Sequence, residues 1–123
     1  MTIRSLRIAV KRAYEAPTAM DGCRVLVDRI WPRGVTKEDA AIDAWVKEVA
    51  PSTSLRKWFE HDPAKWAEFK QRYFGELAER EGAVGAVLEA CDRATLTLVF
   101  AAKDEEHNNA VALKEYLERY SAP

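Results

Sequence analysis

Thr95 to Ala101 reads TLTLVFA, a run without a single charge, and the chain then turns at once to KDEEHNN. A segment this continuously apolar and this rich in strand-forming residues suits a parallel sheet covered on both faces, so an α/β fold is the first expectation. A second run, Cys23 to Ile30 (CRVLVDRI), has the same character until Asp28 and Arg29 interrupt its end. Ser5 to Val10 alternates, with Leu6, Ile8 and Val10 on one side, and reads as a first strand.

Between the strands the signals are helical. Thr36 offers a hydroxyl to the amides of a short helix, with Glu38 and Asp39 favoured by the helix dipole. Ile42 to Val49 fits either a helical face or an edge strand. Ser52 or Ser54 caps SLRKWFE, and Asp62 followed by Pro63 starts a longer helix whose Trp66, Phe69, Tyr73 and Leu77 recur at helical spacing to about Arg80. Gly82 breaks that pattern before a helix marked by Val84, Val87, Leu88 and Cys91. Asp104 is expected to cap a last helix with Ala110, Leu113, Leu117 and Tyr120 as its buried stripe. The order suits one domain, residues 1–123, built as a small three-layer sandwich around a short, mostly parallel sheet of Rossmann-like or flavodoxin-like kind.

Composition bounds the function. With 123 residues, 48% of them hydrophobic, there is enough chain for a real core. Nineteen Lys plus Arg against 20 Asp plus Glu leave no net field to hold nucleic acid or a membrane surface. No apolar run approaches the roughly 20 residues that span a bilayer, and the N-terminus lacks a signal-peptide pattern, so the expected location is cytoplasmic. Cys23 and Cys91 lie far apart outside any CxxC pattern and are read as reduced, buried thiols. No dinucleotide, nucleoside triphosphate, zinc-protease or hydrolase motif is present, and no cofactor or metal is expected.

Open parallel sheets bind ligands beyond the carboxyl ends of their strands, and both polar segments, Asp28 to Gly34 and Lys103 to Asn109, fall there. Arg29 and Arg33 bring planar forks that match carboxylate or phosphate oxygens, Trp31 a flat face, and Gly34 a close backbone approach. His107 is the candidate acid or base, with Asp28 or Asp104 beside it, while Asn108 and Asn109 are candidates to fix a polar edge of the ligand. The bland readings are an Asp28 salt bridge, Trp31 as core, and Asp104 as no more than a cap. LRKWFEHDP adds Arg56, Trp58 and His61 as a third and weaker patch.

VLVDRIWPRG, APSTSLRKWFEHDP and FAAKDEEHNNAVALKEYL, from about Ile8 to Leu117, resemble the signature blocks of the YeaO-like proteins, the domain of unknown function 488. The resemblance implies positions rather than an activity. It marks Asp28, Arg29, Trp31, Arg33, Arg56, Trp58, His61, Asp62, Asp104, His107 and Asn108, and so raises all three patches together. Where that family usually has glycine before His-Asp-Pro this chain has Glu60, which implies that the backbone there need not be left-handed.

Three readings follow. The first is an enzyme for a small anionic or nucleotide-like molecule, with Arg29 and Arg33 holding the anion and His107 moving a proton in hydrolysis or group transfer. The second is a non-catalytic module for a nucleotide or single-stranded nucleic acid, using Trp31, Trp58, Arg33, Arg56 and Lys57. Balanced charge counts against nucleic acid. The third is an interaction or oligomer subunit with exposed aromatics.

Overall fold

The computed structural model describes residues 6–121. Its centre is a four-stranded, all-parallel sheet of order β1-β4-β2-β3, formed by β1 (Arg7–Arg12), β2 (Cys23–Leu26), β3 (Ala44–Trp45) and β4 (Thr95–Phe100). The last strand in the chain thus lies between the first two. That place explains its composition, since Leu96, Leu98, Val99 and Phe100 are all buried. The strand expected from Ser5 runs instead to Arg12; Ser5 itself lies outside the described residues, and Ile8 and Val10 face the core as expected.

The two faces are covered unequally. Leu96, Leu98 and Phe100 of β4 with Cys23, Val25 and Val27 point to the main core, where they meet α2 (Thr53–Phe59), α3 (Trp66–Ala78), α4 (Glu81–Glu89) and α5 (Asn109–Tyr116). The α3 stripe supplies Phe69, Tyr73 and Leu77 to that core. Burial raises the Tyr73 phenol well above its ordinary value, and its hydroxyl donates to Val49 O at 2.5 Å. The opposite face carries a smaller cluster, Ala13, Leu26 and Val99 with Trp31, Ile42 and Trp45 against it, and the one-turn α1 (Lys37–Ala40). There Arg24 is buried but satisfied: it donates to Ala40 O twice and to Asp21 Oδ2 at 2.7 Å, and Lys11 bonds the same carboxylate. Burial alone would raise the Asp21 pKa, but bonds from Thr18, Lys11 and Arg24 bring it below the ordinary value.

Several boundaries differ from expectation. Strand β2 ends at Leu26 rather than Ile30, because beyond Val27 N, which still reaches Val99 O, the Asp28 side chain takes over and accepts from Ala101 N. Ile42 to Val49 is neither alternative alone: a two-residue edge strand is followed by a 3-10 turn, Lys47–Val49. Gly82 lies inside α4, and the break falls at Arg80, with φ −127° and ψ 49°. The last helix begins at Asn109 with Asn108, not Asp104, as its cap; Asn108 Oδ1 accepts from Val111 N. Ala110, Leu113 and Leu117 are buried, and the Tyr120 side chain lies outside the described portion.

Two further corrections concern special residues. Cys23 and Cys91 are joined in a disulfide, with Cα atoms 5.4 Å apart across 68 positions of sequence. Parallel pairing explains it, since Cys23 is opposite Leu96 and Cys91 leads into that same strand. Glu60 is left-handed without being glycine (φ 49°, ψ 32°), as is His61 (φ 56°), because α2 closes on an αL cap whose N–H reaches Arg56 O. Gly22 shows why a true glycine is needed in the turn into β2: a Cβ there would stand 2.2 Å from Thr95 O.

Candidate functional site

A cavity of about 530 Å³ opens beyond the carboxyl ends of the strands, within the size range of small-molecule sites. The loop after β2 supplies Asp28, Arg29, Trp31 and Arg33; α2 supplies Thr53, Arg56 and Lys57; and the segment after β4 supplies Ala101, Asn108 and Asn109. Phe59, Phe69, Pro32 and Pro51 give it apolar walls. His61 reaches the lining from its left-handed position after α2. The structure therefore brings Asp28, Arg29, Trp31, Arg33, Arg56, His61, Asn108 and Asn109 to one place. His107, Asp104 and Trp58 are not among the lining residues.

The loop after β2 is held from several sides. Trp45 Nε1 donates to Asp28 O at 2.7 Å, Trp31 Nε1 donates to Val35 O at 2.7 Å, and Tyr14 Oη donates to Arg33 O at 3.0 Å. Trp31 meets Trp45 edge-on, with ring centroids 5.4 Å apart, so much of its surface is committed to the smaller core. Gly34 has φ 79° and open space around it; it serves the turn, not a close backbone approach. On the facing wall, Arg80 Nη1 donates to Ala50 O at 2.7 Å and fixes the approach to α2.

Asp28 is the one carboxylate among the lining residues. Its Oδ2 accepts from Ala101 N at 2.9 Å and its Oδ1 from Asn109 Nδ2 at 2.9 Å, which ties β4 and α5 to the loop. Burial raises its pKa above the ordinary carboxylate value, while the Asn109 and Ala101 bonds and the Arg56 charge pull the other way. The two asparagine amides are likewise spent: Asn108 Nδ2 donates to Asp104 O, and Asn109 Nδ2 is shared by Val27 O and Asp28.

The cations are the opposite case. Among the described residues, no carboxylate lies within ion-pair distance of Arg29, Arg33, Arg56 or Lys57. Among the same residues, Arg29 Nη2 reaches only Ala50 O, at 3.5 Å, and Arg29 Nε is buried with no hydrogen-bond partner. A buried donor left in that state costs about 1–3 kcal/mol.

His107 stands apart. Its Nδ1 lies 3.0 Å from Asp104 Oδ2, and its ring meets Trp66 edge-on. Asp104 also accepts from the backbone of Glu106 and of His107, and these bonds with the His107 side chain hold its pKa below the ordinary value. Trp58 lies under Arg72, 4.3 Å from its ring centroid, and its carbonyl accepts from Lys65. Among the described residues no three of His, Cys, Asp and Glu gather as a metal site, and no helix is long and apolar enough to cross a membrane.

Sequence reasoning did not place Tyr14 or Lys57 among the site residues. Tyr14 follows Arg12, the true end of β1, so the strand-end rule finds it once the strand is extended by two residues. Lys57 was legible only in the binding-module reading, as a contact for a nucleotide or single-stranded nucleic acid, and Phe59 and Phe69 read as core.

A family model described as "Inactive DUF488-N3 subclade" matches residues 7–122. Among curated proteins, the chain is 40% identical over 112 residues to the uncharacterized protein YeaO of Escherichia coli K12, covering 91% of this chain and 97% of that one. It is 39% identical over 115 residues to the uncharacterized proteins Rv3073c of Mycobacterium tuberculosis H37Rv and Mb3100c of Mycobacterium bovis, covering 94% of this chain and 97% of each. No solved structure matches the chain.

Proposed function

We propose that this chain, which belongs to the inactive DUF488-N3 subclade, is a binding protein for a small organic anion that it holds without altering covalently. The observation that carries the reading is the set of lining cations, Arg29, Arg33, Arg56 and Lys57, none of which has a carboxylate within ion-pair distance among the described residues. Arg33, Arg56 and Lys57 are exposed at the rim and Arg29 is half-buried beside them, so an anion there meets several positive charges and accepts the planar forks of the arginines. The apolar walls from Phe59, Phe69, Pro32 and Pro51 favour a ligand with a carbon body over a bare ion.

Catalysis has less support than binding. An acid or base must reach the proton that it moves, and His107 is paired with Asp104 outside the lining. The cysteines are joined to each other, Cys23 at the amino end of β2, remote from the carboxyl ends where the cavity opens. The family description as inactive agrees with this reading. Stacking of a nucleotide base is disfavoured because Trp31 is taken up by Trp45 and by the smaller core.

A thermal-shift titration at fixed ionic strength tests the proposal, with acetate, inorganic phosphate and 3-phenylpropionate as probes. The expected result is a saturable rise in Tm, larger for 3-phenylpropionate than for acetate, that Arg56→Gln reduces or abolishes. Binding only the folded state at a hundred times Kd stabilises it by about 2.7 kcal/mol, which such an assay resolves. A flat response to every probe, or one unchanged by Arg56→Gln, refutes the reading.

A further inference from the structure

The loop that ends β2 brings opposite chemistries to the cavity on consecutive residues. Arg29 offers donors only, one of them, Nε, buried and without a partner among the described residues. Asp28 offers acceptors only, and it is the single carboxylate in the lining. Each oxygen of Asp28 already receives one N–H, from Asn109 and from Ala101, but a carboxylate oxygen has room for a second. A plain anion would leave that capacity unused and would meet the Asp28 charge at close range. A ligand carrying a donor beside its anionic group would use both residues at once.

The charge balance of the cavity points the same way. Four cations, Arg29, Arg33, Arg56 and Lys57, face one carboxylate, so a ligand with a negative end has a clear excess of partners while a purely cationic one does not. The carboxylate is also held in place. Bonds to β4 and to α5 fix Asp28, so it cannot swing away to make room for an anion. A fixed acceptor beside unpartnered donors selects for a fixed order of groups on the ligand.

Resting on the anion-site reading above, we propose that the ligand is a small carboxylic acid bearing a hydroxyl or amino group on the carbon next to its carboxylate. The carboxylate meets the arginines, the neighbouring O–H or N–H donates to Asp28, and the carbon body lies against Phe59 and Phe69. Asp28 is then the residue that distinguishes a hydroxy or amino acid from a simple carboxylate of the same size.

Three probes share one carbon body and differ only at that position: 3-phenylpropionate, 3-phenyllactate and phenylalanine. Calorimetric titration of the full chain at neutral pH should find at least one of the two donor-bearing probes binding about tenfold or more tightly than 3-phenylpropionate. In Asp28→Asn that preference should fall to about twofold or less, with 3-phenylpropionate binding as well as before or better. The comparison within the unsubstituted protein stands alone if Asp28→Asn fails to fold. If 3-phenylpropionate binds in an Arg56-dependent way and equals or exceeds both donor-bearing probes, the inference is overturned and the anion site stands. If none of the three binds but inorganic phosphate does, the inference is likewise overturned. If no anion binds, both readings fall.

Discussion

Replacing Glu60 with glycine should stabilise the protein. Glu60 caps α2 at φ 49° and ψ 32°, where a Cβ crowds the carbonyl that follows, at about 1–2 kcal/mol for an L-residue. Glycine removes that cost but adds freedom to the unfolded chain, which takes back about 0.5–1 kcal/mol. The side chain itself is exposed, and its carboxylate makes no hydrogen bond or ion pair among the described residues, so little else changes. The net gain is about 0.5–1 kcal/mol, or roughly 2–6 °C in Tm for a chain of this size. Urea unfolding followed by tryptophan fluorescence measures it directly, as a rise in midpoint at constant slope. Glu60→Ala is the control, because alanine suffers the same crowding and should leave the midpoint nearly unchanged. If glycine destabilises, or if alanine stabilises as much as glycine does, the left-handed cap is not the origin of the effect and the reasoning fails.

Other outcomes follow from the same structure. Reducing the Cys23–Cys91 bridge, or Cys91→Ser, should cost about 3–4 kcal/mol in urea unfolding, since 68 positions of chain are released in the unfolded state; equal midpoints with and without reductant would deny the pairing. Gly22→Ala should lose about 3 kcal/mol or more, because its Cβ would stand 2.2 Å from a backbone oxygen at φ 64°, and a folded variant of unchanged midpoint would contradict that contact. Asp21→Asn should cost about 3 kcal/mol at neutral pH by leaving the buried Arg24 without its charge partner. Because the folded pKa of Asp21 is depressed, its contribution is complete above the unfolded value near 4 and is lost as pH falls through the folded value. Wild type should therefore lose more stability than the Asn variant as pH falls through that window, the loss common to both coming from other carboxylates such as Asp104, measurable by unfolding at pH 2 to 6.

Much of the fold was legible because burial writes itself into composition. Strand β4 lies between two partners, and its apolar run announced the parallel sheet, beyond whose carboxyl ends the cavity opens. The α3 stripe was legible for the same reason. Strand order was not, since nothing local in TLTLVFA says that it inserts between β1 and β2. The disulfide was hidden for the same reason: residues 68 positions apart meet only through that insertion. At α5 the sequence pointed to Asp104 as the cap, but the helix starts later and the buried Asn108 caps it. That shift carries His107 into the loop and away from the cavity. The arginines were legible by chemistry, as forks at strand ends, but their lack of partners is a fact of three dimensions. The left-handed backbone at Glu60 and His61 was masked by the absence of glycine.

The most direct test of the anion site is a nitrogen–proton NMR titration of the full chain with 3-phenylpropionate at constant ionic strength. The account predicts saturable shifts concentrated at the amides of Asp28 to Gly34, Thr53 to Lys57 and Ala101 to Asn109, with the Arg29 Nε–H signal moving as it gains an acceptor. Shifts scattered over the surface, or confined to residues remote from that cavity, would contradict it.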